Sequence, residues 1–288
     1  MNLTNKYGLS PVILHACNYA SDSYDKAGDV SVSTLLDSQR VTELKRQHWH
    51  ELEEDVTDQM ARLFGTALHH VMEQGALRAG YICEERIVVD FEGTKLSMKA
   101  DFISPEGILS DIKTGTVYVW KMGGKESYRQ QLNIYRWGYE QVGYKVTSLE
   151  NILFLKDWTE TGLETKESYP VSPIISLPVD IMFNIDVENL LRQRISAWRL
   201  ARAGKLPECT SDERWQRETK YAVKKKGNKM AAKGGVFDIE EEAIAFADTL
   251  DYPTEIEYRP GRNLRCDRNS CLVAQWCSQW ARIQEESL

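Results

Sequence analysis

Asp101, nine intervening residues, then Asp111-Ile112-Lys113: no other spacing in this chain narrows so far what it can build. The first acid closes an alternating stretch, Lys95-Leu96-Ser97-Met98-Lys99-Ala100-Asp101. Leu96, Met98 and Ala100 fall on one strand face, and Lys95, Ser97, Lys99 and Asp101 on the other. Ser104-Pro105-Glu106-Gly107 reads as a turn, because proline presets φ and glycine tolerates positive φ. The returning strand, Ile108 to Lys113, places Asp111 and Lys113 on one face by its period of two. Two carboxylates and an ammonium are therefore expected to converge across a hairpin. Such a group suits a hard cation such as Mg2+, which takes one or two carboxylates. A lysine beside it can orient a water or offset phosphate charge. The same three residues would also suit the solvent face of an ordinary hairpin, so the rest of the chain has to decide.

With 288 residues the chain can form one large domain or two small ones. Its 42% apolar and 27% charged residues fit a globular protein. No uncharged apolar run approaches the roughly 20 residues of a membrane span. Met1 to Leu14 lacks the order of a signal peptide, so a cytoplasmic setting without a membrane partner is expected. In that setting six cysteines point to metal binding or catalysis rather than a disulfide frame. A net charge of −7 argues against a generally basic coat for nucleic acid but leaves room for a local basic groove.

Residues 1–28 are polar and loop-like, and Ser31 to Leu36 looks like an entry to a helical region. From Val41 to Glu73 the pattern is helical, with Leu52, Val56, Met60, Leu63 and Leu68 near helical spacing. Strands are expected at Glu85–Phe91, Lys95–Phe102 and Ile108–Lys113, then a helix over Ser127–Val142 and a strand at Ile152–Leu155. That order predicts an α/β fold, a mixed sheet flanked by helices. Residues 178–203 read as a long helix, followed by a lysine-rich segment (Lys224, Lys225, Lys226, Lys229, Lys233), an acidic helix near Ile239–Leu250 and a cysteine-bearing tail. The expected organisation is a core over 1–205 and a C-terminal appendage over 206–288, packed on it.

His69, in Gly65-Thr66-Ala67-Leu68-His69, offers an imidazole that suits Mn2+ better than Mg2+; a capping or surface histidine is the alternative. Gln131 and Tyr135 lie four apart on one helix face and could orient the lysine or a phosphate.

Taken in order, G-T-x-x-H, a strand Asp, D-x-K and Q-x-x-x-Y resemble the RecB-like branch of the PD-(D/E)XK nuclease superfamily, over roughly residues 30–160. The resemblance implies a restriction-endonuclease-like core. It implies His69, Asp101, Asp111 and the carbonyl of Ile112 as ligands of Mg2+ or Mn2+. Lys113 would position or activate the attacking water, and Gln131 and Tyr135 would support the site and the strand being cut. The second acid of the motif is often glutamate; here it is Asp111.

Cys266, Cys271 and Cys277 lie within twelve residues, separated by four and then five others. Four thiolates hold an Fe–S cluster or a structural zinc, and this spacing is not the tight C-x2-C of zinc ribbons, which favours [4Fe–4S] with Zn2+ as the alternative. RecB-like nucleases with Fe–S clusters, such as AddB-type subunits and the CRISPR-adaptation nuclease, are similar in having a three-cysteine tail. Their fourth cysteine usually precedes the core, near the position of Ser33–Ser38 here, where this chain has none. Cys209, in the turn context Pro207-Glu208-Cys209-Thr210, is the expected fourth ligand, and Cys17 is the alternative. Cys83 reads as a core thiol.

The resemblance implies a metal-dependent DNA exonuclease acting on linear DNA, single-stranded or with ends, in recombination, repair or phage DNA processing. The chain carries no helicase signature of its own, since no G-x-x-x-x-G-K-[ST] occurs; a recombination or helicase partner would fit that activity. The alternatives are a structure-specific endonuclease and a non-catalytic DNA-binding recombination accessory protein.

Overall fold

The computed structural model describes residues 1–22, 27–267 and 270–286. They divide into two compact units, Met1–Pro207 and Glu208–Leu288.

The first unit starts with β1 (Asn2–Thr4), α1 (Pro11–Asp22), β2 (Val30–Ser31), α2 (Val32–Leu36), α3 (Gln39–Gln47) and β3 (Glu53–Asp55). A short 3₁₀ segment, Val56–Gln59, leads into α4 (Met60–Arg78). The strands β4 (Ile82–Cys83), β5 (Arg86–Phe91), β6 (Thr94–Lys99), β7 (Phe102–Ile103) and β8 (Ile108–Gly115) follow. Next come α5 (Val117–Lys121), α6 (Glu126–Gln141), β9 (Ser148–Leu155), α7 (Glu160–Thr165), β10 (Ile174–Val179) and α8 (Asn184–Arg202). The expected α/β architecture is the one found: mixed sheets with helices against them.

Three sequence expectations need correction here. Residues 1–28 are not all loop. β1 pairs in parallel with β3, and among the described side chains of α1 (residues 11–19) Cys17 alone is buried, which left its period invisible; residues 23–26 lie outside the described ones. The expected helix over 41–73 is interrupted, because Glu53–Asp55 is captured by β1 and Asp55 caps the turn that follows. The helix expected from 178 begins at Asn184, and the residues before it, Ile174–Val179, form a strand against β9.

The hairpin pattern itself is divided between two sheets. β5 and β6 join β2 in a three-stranded sheet, while β7 and β8 lie in a five-stranded sheet of order β10-β9-β8-β7-β4. The Lys95–Phe102 strand therefore ends at Lys99 and resumes at Phe102. Opposite that break, β4 ends at Cys83 and β5 begins at Arg86, with Glu84 in the left-handed region at φ 51°. The pairs Cys83↔Phe102 and Arg86↔Lys99 keep one register across the seam, so Glu84 and Glu85 face Asp101 and Ala100 where the ladder bends.

The seam is held by polar contacts. The Tyr139 hydroxyl accepts from the Ala100 amide at 3.1 Å and donates to the Glu85 carbonyl. The Glu84 amide donates to the Asp101 carbonyl at 3.0 Å. Below it, the expected turn forms, with the Gly107 amide on the Ser104 carbonyl at 2.9 Å and Gly107 at φ 88°.

β8 runs parallel to β9, joined by a crossover through α6, as a parallel pair requires. Helix α6 buries Leu132, Ile134, Tyr135, Trp137 and Tyr139 against Leu96, Met98 and Leu109, with Val187, Leu191 and Ile195 of α8 in the same core. Each fully buried side chain of this size stabilises the fold by about 1.5–3 kcal/mol. On the other side of β8, Ile112 packs with Ala76 of α4 and Phe102. Asp111 and Lys113, one residue to either side, point the opposite way.

The second unit contains β11 (Gln216–Arg217), β12 (Lys220–Lys225), β13 (Ala231–Phe237), α9 (Glu240–Ala247), β14 (Thr254–Arg259) and β15 (Arg262–Asn263). A short α10 (Leu264–Asp267), a 3₁₀ segment at Ala274–Trp276 and α11 (Ser278–Glu286) complete it. The lysine-rich stretch is thus largely sheet, in the order β13-β12-β14. Lys224 is committed to Glu255 at 3.2 Å and Glu257 at 3.7 Å, and Lys220 is paired with Asp238. Among the described residues, no helix is long and apolar enough to cross a membrane.

Candidate active site

In the first unit one cleft of about 860 Å3 gathers His69, Asp101, Asp111, Lys113, Gln131 and Tyr135 along its wall. These six come from α4, the seam, β8 and α6.

Asp101 is buried in the bend just past the last rung of the β7–β8 ladder. The register Phe102↔Ser110 places it across from Asp111. One of its oxygens, Oδ2, accepts from the Ile112 amide at 2.5 Å; the other, Oδ1, meets His69 Nδ1 at 3.1 Å. His69 sits half-buried on α4, and its pKa is raised, first by the hydrogen bond to Asp101, against the opposing effect of burial. The charges of Asp101, Asp111 and Glu84 add to it.

Asp111 is buried at the cleft wall and ion-paired with Lys113. Burial raises its carboxyl above the ordinary value, opposed by Lys113 and reinforced by Asp101. A buried pair of like charges beside one ammonium is an arrangement that a divalent cation relieves. Lys113 also donates to Gln131 Oε1 at 2.9 Å and lies 5.2 Å above the Tyr128 ring. Gln131 Nε2 in turn donates to the Tyr135 hydroxyl at 3.0 Å. Burial, with the Asp111 charge second, holds the Tyr135 phenol above its usual range, so it stays protonated. Of Ile112, the structure shows the amide on Asp101 and the side chain in the core.

Sequence reasoning missed Glu84. Its carboxylate, His69 and Asp101 bring their ligand atoms within 4.8 Å of one another. A nitrogen and two carboxylate oxygens are the donor set that Mn2+ or Mg2+ accepts, so the residues present fit such an ion. The only sequence signal was an acidic pair, Glu84-Glu85, ahead of a strand. Arg86 and Lys99 also line the cleft, the former donating to Ser97 Oγ at 2.8 Å.

The second unit holds the remaining candidates. Burial pushes the Cys266 thiol up to about 11, and the thiols of Cys271, Cys209 and Cys277 add to the shift in that order. The four expected cysteines are thus electrostatic neighbours within one unit. Cys209 is clasped by the buried Gln279, whose Oε1 accepts from the Cys209 amide at 2.8 Å and whose Nε2 donates to its carbonyl at 3.0 Å. Cys17, the alternative, is buried in the first unit with its thiol 4.0 Å from the Val56 carbonyl. Cys83 is half-buried, with its thiol 3.5 Å from the Tyr81 carbonyl. Among the described residues no disulfide joins any two cysteines.

No family model and no curated protein matches this chain. Among solved structures it is similar to the protein SSO0001, at 15% identity and a TM-score of 0.46, over 65% of this chain and 84% of that one. It is also similar to an alkaline exonuclease (LHK-Exo) from Laribacter hongkongensis, at 15% identity and a TM-score of 0.32, over 61% and 97%.

Proposed function

We propose that the first unit is a divalent-metal-dependent deoxyribonuclease of the PD-(D/E)XK, restriction-endonuclease-like kind, cutting phosphodiester bonds in linear DNA from an end. The observation that carries this reading is the meeting of Asp101, Asp111, Lys113 and His69 in one cleft, with Gln131 fixing the lysine. His69, Asp101 and Asp111 would hold Mg2+ or Mn2+, with the Ile112 carbonyl as a further donor. Such an ion supplies Lewis acidity to the phosphate and makes water a competent nucleophile at neutral pH.

The chain's own residues would do the rest. Asp101, held by the Ile112 amide, keeps its second oxygen toward His69. Lys113, drawn between Asp111 and Gln131, presents its ammonium where an attacking water is oriented and where phosphate charge grows. Tyr135 accepts from Gln131 and retains a proton to donate to the substrate strand. In the second unit Cys209, Cys266, Cys271 and Cys277 would bind a [4Fe–4S] cluster, with Zn2+ as the alternative group for the same four thiols. A role in recombination, repair or phage DNA processing, with a helicase or recombination partner, would fit such an activity.

The test uses end-labelled linear DNA, single- and double-stranded, and covalently closed circles, each with Mg2+ or Mn2+. Loss of label from linear DNA alone supports the exonuclease. Nicking or linearisation of circles would move the assignment to an endonuclease. Binding without cleavage would make the chain a DNA-binding accessory protein.

A further inference from the structure

The ligands taken from the motif leave out a carboxylate that the fold brings to the same point. We propose that Glu84 is a direct ligand of the divalent cation, and that Lys99 is an exchangeable counter-charge that occupies Glu84 when the cation is away. This rests on the reading of the cleft as a cation site and adds to it.

Distances support the first half. Ligand atoms around an octahedral ion at about 2.1 Å lie roughly 3 Å apart when adjacent and roughly 4.2 Å apart when opposite. His69 Nδ1 and Asp101 Oδ1 are already 3.1 Å apart, an adjacent-ligand spacing. Glu84 joins the same group: one ligand atom from each of His69, Glu84 and Asp101 lies within 4.8 Å of the other two. Small side-chain shifts close that gap.

The backbone shows why Glu84 is there. Its amide is tied to the Asp101 carbonyl at 3.0 Å, so the two acids are fixed to each other across the seam. Its left-handed φ of 51° lets the strand leave one sheet and enter the other at this residue. A residue with a Cβ occupies that region at a cost, which a surrounding structure has to impose. Glu73 makes a useful contrast. It lines the same cleft and lies 3.9 Å from His70, yet it is no member of the three-atom group.

The second half rests on the ion pairs. Asp111 is matched by Lys113, and Glu84 is matched by Lys99. Lys99 has a side chain 38% exposed, on a flexible stem that can swing into solvent. Binding of the cation would therefore displace Lys99 from Glu84 while leaving Lys113 in its place beside Gln131.

Mn2+ binding to the full chain, followed by the loss of the free-ion electron paramagnetic resonance signal, tests this without any cleavage assay. Glu84→Gln is expected to weaken Mn2+ binding roughly tenfold or more, because affinity follows the number of ligand charges. Glu73→Gln, which changes the same overall charge in the same cleft, is expected to leave it unchanged. Lys99→Gln, which keeps Glu84 and removes its competitor, is expected to tighten binding several-fold. If the unaltered chain binds no Mn2+, the cation-site reading itself fails. If it binds Mn2+ and Glu84→Gln binds equally well, Glu84 is no ligand although the site stands. Unchanged affinity in Lys99→Gln overturns the counter-charge role, and that variant decides the matter should Glu84→Gln fail to fold.

Discussion

Gln131 holds Lys113 by its side-chain oxygen, 2.9 Å from the ammonium, while its nitrogen donates to Tyr135 one helical turn away. The lysine is thereby tied to α6 as well as to Asp111 on its own strand. Lys113→Ala is expected to lower single-turnover cleavage of linear DNA by about 100-fold or more, the scale of a lost proton-transfer or charge-stabilising group. Gln131→Ala is expected to lower it less, because the Asp111 pair and the Tyr128 ring still restrain the ammonium. Cleavage by Lys113→Ala at the unaltered rate would remove the lysine from the mechanism.

Asp55 gives a pH dependence with a definite sign. It accepts from the Lys6 amide at 2.9 Å, from the Thr57 hydroxyl at 2.7 Å and amide at 3.1 Å, and from the Thr4 hydroxyl at 2.9 Å. These bonds, the Lys6 amide foremost, hold its carboxyl well below the usual carboxylate range in the folded chain. A depressed folded-state pKa contributes stability that is present above the unfolded value of about 3.9 and is lost as pH falls toward the folded value. The Tm difference between the unaltered chain and Asp55→Asn should be constant from about pH 7 to 5 and shrink below about pH 4. A gap that widens in acid would contradict the assignment; calorimetry across this range decides.

Much of the site was legible because its parts obey local periods. Asp111 and Lys113 share a strand face by the period of two, and Gln131 and Tyr135 share a helix face by the spacing of four. Those four residues came out of the sequence in their structural relationship, and so did the Ser104–Gly107 turn. Glu84 did not, because its place depends on a bend that divides one ladder between two sheets, and no local period records where a ladder bends. The break at residues 53–55 was hidden for a similar reason. Its strand partner is β1, some fifty residues earlier in the chain, and Leu52 and Val56 are buried as they would be in a helix. Gln279 went unseen because its partner is the backbone of Cys209, 70 residues away.

Gly107 closes the turn that aligns Asp101 with Asp111. At φ 88° a Cβ on it would stand 2.6 Å from the Lys145 carbonyl oxygen and 3.3 Å from Thr147 Cγ2. Gly107→Ala is expected to destabilise the chain by roughly 1–3 kcal/mol, from left-handed strain and the backbone clash together. Gly93, at φ 76° with open space around it, isolates the strain alone. Urea unfolding should therefore show a larger loss for Gly107→Ala than for Gly93→Ala; equal losses would mean that the Lys145 backbone simply yields.

The thiols of the second unit separate two assignments of the fourth ligand. Cys209 counts Cys266 as a neighbour and is positioned by Gln279 through both its amide and its carbonyl. Cys17 lies in a helix of the other unit, near the Val56 carbonyl. Protein purified without oxygen should carry iron and acid-labile sulfide and absorb in the visible. Cys209→Ser should lose most of both, and Cys17→Ser should keep them. Gln279→Ala leaves all four thiols in place but frees the Cys209 loop, so it should load at first and shed iron faster on exposure to a chelator. Zinc without sulfide in the unaltered protein would replace the cluster by a structural zinc on the same four cysteines. Loss of iron from Cys17→Ser with retention in Cys209→Ser would reverse the ligand assignment.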